Sequence, residues 1–136
     1  MISFYSLMAL LLSYLLGAVP TSVWIGQAFY EIDVREHGSG NAGASNTFRV
    51  LGKKAGIFVL SIDVLKGWTA TNLVYLVGDY TIGSTPFVNF KLALGITAVM
   101  GHILPVYVGF RGGKGIATLC GMVLAVHPLA ALCSIV

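Results

Sequence analysis

The sequence predicts an all-α fold, a polytopic bundle of transmembrane helices in a single domain that covers residues 1–136. Hydrophobic residues make up 57% of the chain and charged residues only 10%, which excludes an ordinary soluble domain. The first 30 residues contain no Asp, Glu, Lys or Arg, and this run is longer than the ~20 residues that cross a bilayer. A secretory signal peptide would begin with basic residues, so we interpret the run as a retained membrane anchor.

Four apolar spans follow one another along the chain, and each is long enough for a transmembrane helix. They cover approximately Ile2 to Gln27, Gly56 to Val77, Phe87 to Val108, and Ile116 to Val136. Pro20 lies late in the first span, where its missing N–H is expected to kink the helix. The sequence therefore predicts a bundle of four transmembrane helices.

The loops between the spans differ in their content of Lys and Arg. The first loop holds four such residues and the third holds two, whereas the amino terminus and the middle loop hold none. Because Lys and Arg accumulate on the cytoplasmic side, we expect both basic loops to face the cytoplasm and the amino terminus to lie outside. Lys91, in the outer end of the third span, is expected to extend its ammonium to the headgroups. A formal charge of +3 without a basic face does not indicate nucleic-acid binding.

Both basic loops are rich in glycine. The first contains GSGNAGASNTFR, from Gly38 to Arg49, and the second contains FRGGKGIAT, from Phe110 to Thr118. Glycine permits positive φ and close approach of the backbone to a ligand, so backbone amides can surround phosphate oxygens while neighbouring cations neutralise them. We therefore interpret both loops as anion-binding sites.

Four motifs in this order closely resemble the bacterial acyl-phosphate:glycerol-3-phosphate acyltransferase family (PlsY-type). They are GAVP from Gly17, GSGNAGASNTFRVLGKKAG from Gly38, DVLKG from Asp63, and GHILPVYVGFRGGKGIAT from Gly101. The resemblance implies a seven-helix membrane fold, of which this chain would supply four helices. Members of that family continue with further helices and a third motif that carries His and Asn. Nothing here matches that motif, so we expect the domain to be incomplete at its carboxyl end.

The resemblance also implies an enzyme of phospholipid synthesis in the bacterial inner membrane. Such an enzyme moves a fatty acyl group from acyl phosphate to the sn-1 hydroxyl of glycerol-3-phosphate, and it releases lysophosphatidic acid and phosphate. The implied partners are these two substrates, membrane lipid and the enzyme that produces acyl phosphate, and no cofactor or metal is expected. Because acyl phosphate already carries a good leaving group, positioning and charge stabilisation are the main requirements for catalysis.

The catalytic residues that the resemblance implies are Ser39, Arg49 and Lys114. Ser39 would hydrogen-bond the substrate near its reacting carbonyl or phosphate, and Arg49 would clamp a phosphate with its planar guanidinium. A covalent acyl-serine with His37 as the base is the alternative for Ser39, and anchoring at the membrane surface is the alternative for the two cations. The expected substrate-binding residues are Gly38, Gly40, Asn41, Gly43, Asn46, Gly112, Gly113, Gly115 and His102, the histidine of the motif GHxxP.

Asp63 and Lys66 lie three residues apart on the second span, so they share a helix face and can form an ion pair. Charges inside a membrane are costly, and a structural pair and a contact with the substrate are equally open interpretations. A transporter or channel for a phosphorylated anion is the competing class of function, because transporters place charges near the middle of the bilayer. A scaffold whose loops bind anionic headgroups is the third class. The glycines in the end loops favour the enzyme.

Overall fold

Helices form the regular structure of the computed structural model, which describes residues 2–135. In chain order they are α1 (Phe4–Ala18), α2 (Thr21–Tyr30), α3 (Ala44–Leu51), α4 (Lys53–Asn72), α5 (Thr85–Ile103), α6 (Ile116–Val126) and α7 (Pro128–Ile135). Three short 3-10 helices lie in the connections, at Val34–Glu36, Leu73–Leu76 and Val106–Val108. The predicted all-α class is confirmed, since the described residues contain no strand.

Three of the four predicted spans are long and apolar enough to cross a membrane, namely Phe4–Tyr30, Lys53–Leu76 and Thr85–Val108. The first span is interrupted at Pro20, between α1 and α2, as its proline predicts. The fourth predicted span is present as a shorter apolar helix, and only its continuity is wrong, because the chain leaves the helical conformation at His127. The predicted end of this span, Val136, lies outside the described residues. Pro128 disfavours a helical residue before it and then occupies the first position of α7. α6 is consequently an apolar helix of only 11 residues.

Glycines allow the helices to approach closely at two crossings. α1 packs against α5, where a Cβ added to Gly17 would overlap the backbone of Ala98. α4 packs against α6 in the same way, since a Cβ on Gly121 would overlap the carbonyl oxygen of Val64. Small residues at such crossings let membrane helices gain van der Waals contact between their backbones. The second crossing fixes the start of α6 beside the middle of α4.

Lys91 does not extend to the headgroups, contrary to our prediction. Its side chain is 7% exposed. Its Nζ atom lies 4.9 Å from the centre of the Tyr75 ring and 3.3 Å from the Tyr75 hydroxyl oxygen. The ring attracts the ammonium through its negative face, so a contact inside the bundle replaces the expected contact with the headgroups.

Candidate active site

The two glycine-rich loops lie at the same end of the bundle and line one cleft of about 310 Å³. Its walls come from the first loop and α3, the middle of α4, the end of α5 and the start of α6. The predicted site residues that line the cleft are Ser39, Asn41, Gly43, Asn46, Arg49, Asp63, His102, Lys114 and Gly115. The predicted residues that do not line it are Gly38, Gly40, Lys66, Gly112 and Gly113.

Two helices, α3 and α6, begin at the cleft. The residues before them, Gly43 and Gly115, provide no side-chain cap. The first N–H groups of each helix therefore have no partner within the helix, and the helix dipole adds partial positive charge at the same point. Arg49 and Lys114 line the cleft as well. This combination of open amides and cations suits a phosphate group.

Ser39, Arg49 and Lys114 are exposed at the cleft. Within residues 2–135 their side chains form no hydrogen bond or ion pair, so all three are available to a ligand. The His37 ring likewise makes no hydrogen bond to Ser39 in this part of the chain. The geometry thus gives no support to the covalent acyl-serine alternative.

Asn46 holds the first loop in shape. Its side chain is buried, and Nδ2 lies 2.8 to 3.1 Å from the carbonyl oxygens of Val34, His37 and Asn41, which share its two N–H groups. Its Oδ1 accepts a hydrogen bond of 2.9 Å from the Ser39 N–H. These bonds occupy the carboxamide, so the structure gives Asn46 a role in forming the loop. Contact between Asn46 and a substrate stays a prediction.

Gly38 and Gly40 turn the first loop around the Asn46 side chain. Their φ angles are +58° and +75°, in the left-handed region that glycine adopts most easily. A Cβ on Gly38 would also overlap the Asn46 Oδ1 atom. Both glycines therefore shape the loop from outside the cleft.

The paired glycines of the second loop are bonded to the end of α5. The Gly112 N–H donates to the carbonyl oxygen of Ile103 and the Gly113 N–H donates to that of His102, both at 3.2 Å. Neither glycine has a positive φ. The open amides that we inferred at these two positions are therefore not present. A role of these two glycines in substrate binding stays a prediction. They would contribute by packing the second loop against the end of α5.

A buried group of ionisable side chains adjoins the cleft. Lys66 Nζ lies 2.9 Å from Asp63 Oδ1 and donates to the Val19 carbonyl oxygen at 2.7 Å. His102 Nδ1 lies 3.8 Å from the same Asp63 oxygen. The predicted pairing of Asp63 with Lys66 is confirmed. Asp63 is 1% exposed, and within residues 2–135 its Oδ2 has no hydrogen-bond donor. Asp63 lines the cleft, and Lys66 contacts the break between α1 and α2. The ion pair thus connects these two parts of the structure.

Asp33 and Arg35 form an ion pair that our reading of the sequence missed. The Arg35 Nη2 and Nε atoms lie 2.7 Å from Asp33 Oδ2 and 3.0 Å from Oδ1, respectively. The hydrogen bond from Arg35 lowers the pKa of Asp33 below its usual value, against the opposing effect of burial, and the same bond raises the pKa of Arg35. The sequence feature that could have revealed this ion pair is an acidic and a basic residue two positions apart, just before the glycine-rich run.

Arg35 also reaches the second loop. Its Nη1 atom donates to the carbonyl oxygen of Val108 at 2.7 Å and to that of Arg111 at 3.4 Å. The guanidinium therefore joins the two loops that line the cleft.

The helical bundle and its cleft define an integral-membrane protein with a cationic cleft at one end. A family model described as glycerol-3-phosphate acyltransferase matches residues 7–136. The chain belongs to this family, and the resemblance identified from its motifs is confirmed.

Two curated relatives have the same description. Glycerol-3-phosphate acyltransferase of Streptococcus equi subsp. zooepidemicus is 49% identical over 123 residues, which cover 90% of this chain and 54% of the relative. That of Enterococcus faecalis is 51% identical over 119 residues, which cover 88% of this chain and 52% of the relative. The chain thus spans about half the length of the curated relatives that it matches.

Two crystal structures of PlsY (YgiH), an integral membrane glycerol 3-phosphate acyltransferase, have a similar fold. The glycerol 3-phosphate form has a TM-score of 0.82 and 36% identity, and the match covers 96% of this chain and 62% of that chain. The lysophosphatidic acid form has a TM-score of 0.79 and 35% identity, with coverage of 96% and 61%. These similarities confirm the fold as that of a helical integral-membrane protein.

Proposed function

We propose that the chain supplies a large part of the active site of a membrane acyltransferase in phospholipid synthesis. The enzyme moves a fatty acyl group from acyl phosphate to the sn-1 hydroxyl of glycerol-3-phosphate, and it releases lysophosphatidic acid and phosphate. The observation that carries the proposal is one cleft whose lining includes Arg49, Lys114 and the N-termini of α3 and α6 on one side and apolar side chains on the other. Membership of the glycerol-3-phosphate acyltransferase family supports it, and favours it over a transporter or channel.

The charged side of the cleft binds phosphate in this proposal. The Arg49 fork presents two parallel N–H groups to two phosphate oxygens, while Lys114 adds a point charge beside the start of α6. Both substrates carry a phosphate, and the phosphate of the donor takes up negative charge as it leaves. Donors and cations that are already in place stabilise this charge without a cost of reorganisation during the reaction.

The apolar side of the cleft receives the acyl chain. Leu60 and Val64 of α4 line it together with Ile116 of α6, and Leu60 and Ile116 are 40% and 64% exposed. An acyl phosphate has one anionic end and one apolar end, and the cleft offers a matching surface to each. The acyl chain in this arrangement lies along the exposed side chains of Leu60 and Ile116 and continues into the lipid.

The reaction itself requires attack of the sn-1 hydroxyl oxygen on the acyl carbonyl carbon. A new ester bond forms between these two atoms, the bond from the carbonyl carbon to the phosphate oxygen breaks, and the hydroxyl proton passes to the departing phosphate. The Ser39 hydroxyl donates a hydrogen bond to the carbonyl or phosphate oxygen of the donor, and the Asn41 carboxamide, whose Oδ1 is buried without a partner in residues 2–135, contacts the glycerol hydroxyls. Cytoplasmic loops would receive glycerol-3-phosphate from the cytosol and acyl phosphate from the enzyme that produces it.

Phosphate release tests the proposal. We expect little activity from this chain alone in lipid nanodiscs, since it spans about half the length of its relatives. A chimera in which the remaining part of the Enterococcus faecalis relative follows the chain should release phosphate from acyl phosphate only when glycerol-3-phosphate is present. Mass spectrometry should detect lysophosphatidic acid. Ser39→Ala and Arg49→Ala chimeras serve as controls.

A folded chimera that forms no product would contradict the proposal. Uptake of labelled glycerol-3-phosphate into liposomes by that chimera, without acyl transfer, would instead favour the transporter.

A further inference from the structure

The relative position of the two loops decides the geometry of the cleft. Ser39 and Arg49 belong to the first loop and α3, whereas Lys114 belongs to the second loop, which follows α5. Within residues 2–135, Arg35 provides the only hydrogen bonds from the first loop to the second. The contacts of Arg35 therefore influence the distance from Ser39 and Arg49 to Lys114.

The Arg35 guanidinium is held on one side by Asp33 and bonds to the second loop on the other. Only 13% of the Arg35 side chain is exposed, so water competes little for these hydrogen bonds. A planar guanidinium can bond a carboxylate and carbonyl oxygens at once in fixed directions, which the ammonium of lysine cannot do. Because the pKa of Asp33 is lowered, its carboxylate is ionised throughout the neutral range in which acyl transfer is measured.

The second loop contains a strained turn at the point that Arg35 contacts. Gly109 and Phe110 have φ angles of +70° and +61°, and a positive φ is rare for a bulky residue such as phenylalanine. Such conformations persist where neighbouring contacts hold them. Arg35 bonds the carbonyl oxygens of the residues on either side of this turn, Val108 and Arg111. Lys114 follows three residues after Arg111.

We propose that Arg35, held by Asp33, is a positioning residue that sets the distance between the two loops and hence places Lys114 relative to Ser39 and Arg49. Its role in acyl transfer rests on the proposed function. Neither Arg35 nor Asp33 lines the cleft, so the pair acts through the loops and does not touch the substrates. A misplacement of ~1 Å between reacting groups lowers a rate by about 100-fold. Loss of the pair should therefore lower kcat more than it raises KM.

Three variants test the pair against one matched control. Arg35→Ala removes the guanidinium, Arg35→Lys keeps the charge but not the planar fork, and Asp33→Asn keeps the shape of the side chain while removing its charge. The control is Lys54→Ala, because Lys54 is an exposed cation close to the same loop and its side chain forms no hydrogen bond within residues 2–135.

The first readout is the distance between the loops, measured by pulsed electron paramagnetic resonance in the chain itself. Spin labels are attached at Ser45→Cys and Val106→Cys, in a background in which Cys120 and Cys133 are replaced by alanine. Arg35→Ala should shift or broaden the distance distribution, and Arg35→Lys should do so partly. Lys54→Ala should leave it unchanged.

The second readout is steady-state kinetics in the active chimera described above, without labels and with its cysteines intact. We expect Arg35→Ala to lower kcat by about 10- to 100-fold, with changes in KM of less than about threefold for both substrates, and Arg35→Lys to recover little of the loss. Lys54→Ala should stay within about twofold of the unaltered protein. A merely structural role would lower the yield of folded protein and leave kcat and KM of the folded fraction unchanged.

An unchanged label distance in Arg35→Ala would overturn the inference, as would an equal loss of kcat in Lys54→Ala. Should Arg35→Ala fail to fold, the label distance and the kinetics of Asp33→Asn test the inference instead. Asparagine can still accept the hydrogen bond from the Arg35 backbone N–H. If the unaltered chimera forms no lysophosphatidic acid, the proposed function fails, whereas a changed label distance still supports Arg35 as the residue that sets the loop spacing.

Discussion

Replacing Gly112 with alanine is expected to displace the second loop from the end of α5. The added Cβ would overlap the carbonyl oxygen of His102 and lie 2.7 Å from Pro105 Cδ and 2.8 Å from the Ile103 carbonyl oxygen. Nonbonded heavy atoms rest about 3.5 to 4.0 Å apart, so the loop must move by roughly 1 to 2 Å. Overpacking costs ~1–3 kcal/mol, and weakening the bond from the Gly112 N–H to Ile103 adds ~1 kcal/mol. We therefore expect Gly112→Ala to lower the free energy of unfolding by about 2 to 4 kcal/mol.

Gly113→Ala should be less destabilising, because most of its conflict is with the end of a side chain. Its Cβ would overlap His102 Nε2, the end of the imidazole ring, and would lie 3.0 Å from the Ala42 carbonyl oxygen. The neighbouring Lys114 moves with the loop in both variants. We expect Gly113→Ala to weaken the apparent affinity for glycerol-3-phosphate more than it lowers the maximal rate.

Gly78→Ala is the matched control, since no atom lies within 4 Å of its added Cβ and its φ is not positive. Thermal unfolding in detergent, followed by tryptophan fluorescence, ranks the stability of the three variants, and phosphate release in the chimera gives their kinetics. The expected order of unfolding temperature is Gly78→Ala above Gly113→Ala above Gly112→Ala. If Gly112→Ala unfolds at the same temperature as Gly78→Ala, the packing argument is refuted.

Three further predictions concern topology, charge coupling and phosphate binding. Cysteines placed at Ser45 and Ser84 should react differently with an impermeant thiol reagent in intact cells, with labelling at Ser84 alone; labelling at Ser45 alone would reverse the orientation. Asp63→Ala and Lys66→Ala should each reduce the folded yield in detergent, because each leaves a buried charge unpaired at a cost of ~3–5 kcal/mol. The double variant should lose less yield than the two single losses combined. Strictly additive losses would reject the coupling. Arg49→Lys should lower the maximal rate of phosphate release almost as far as Arg49→Ala, since a point charge does not reproduce a bidentate fork, and a full rate with lysine would exclude that role.

Local patterns in the sequence determined the membrane class and much of the cleft. Hydropathy and the interruption at Pro20 depend on neighbouring residues, so they could be predicted without a structure. The pairing of Asp63 with Lys66 was predictable for the same reason, because two residues three positions apart on a helix are necessarily close. The motifs also placed Ser39, Arg49 and Lys114, three side chains that the cleft brings together.

Tertiary structure decided which groups those residues contact. Glycine in the second loop suggested open amides, but only the packed loop shows that Gly112 and Gly113 donate to α5. Burial of Lys91 beside Tyr75 depends on how the 3-10 helix Leu73–Leu76 packs against α5, the next helix in the chain. The bond from Arg35 to Val108 joins residues 73 positions apart. A composition or a helical period carries no information about such pairs, because their distance is fixed by how the helices pack and not by their separation in the sequence.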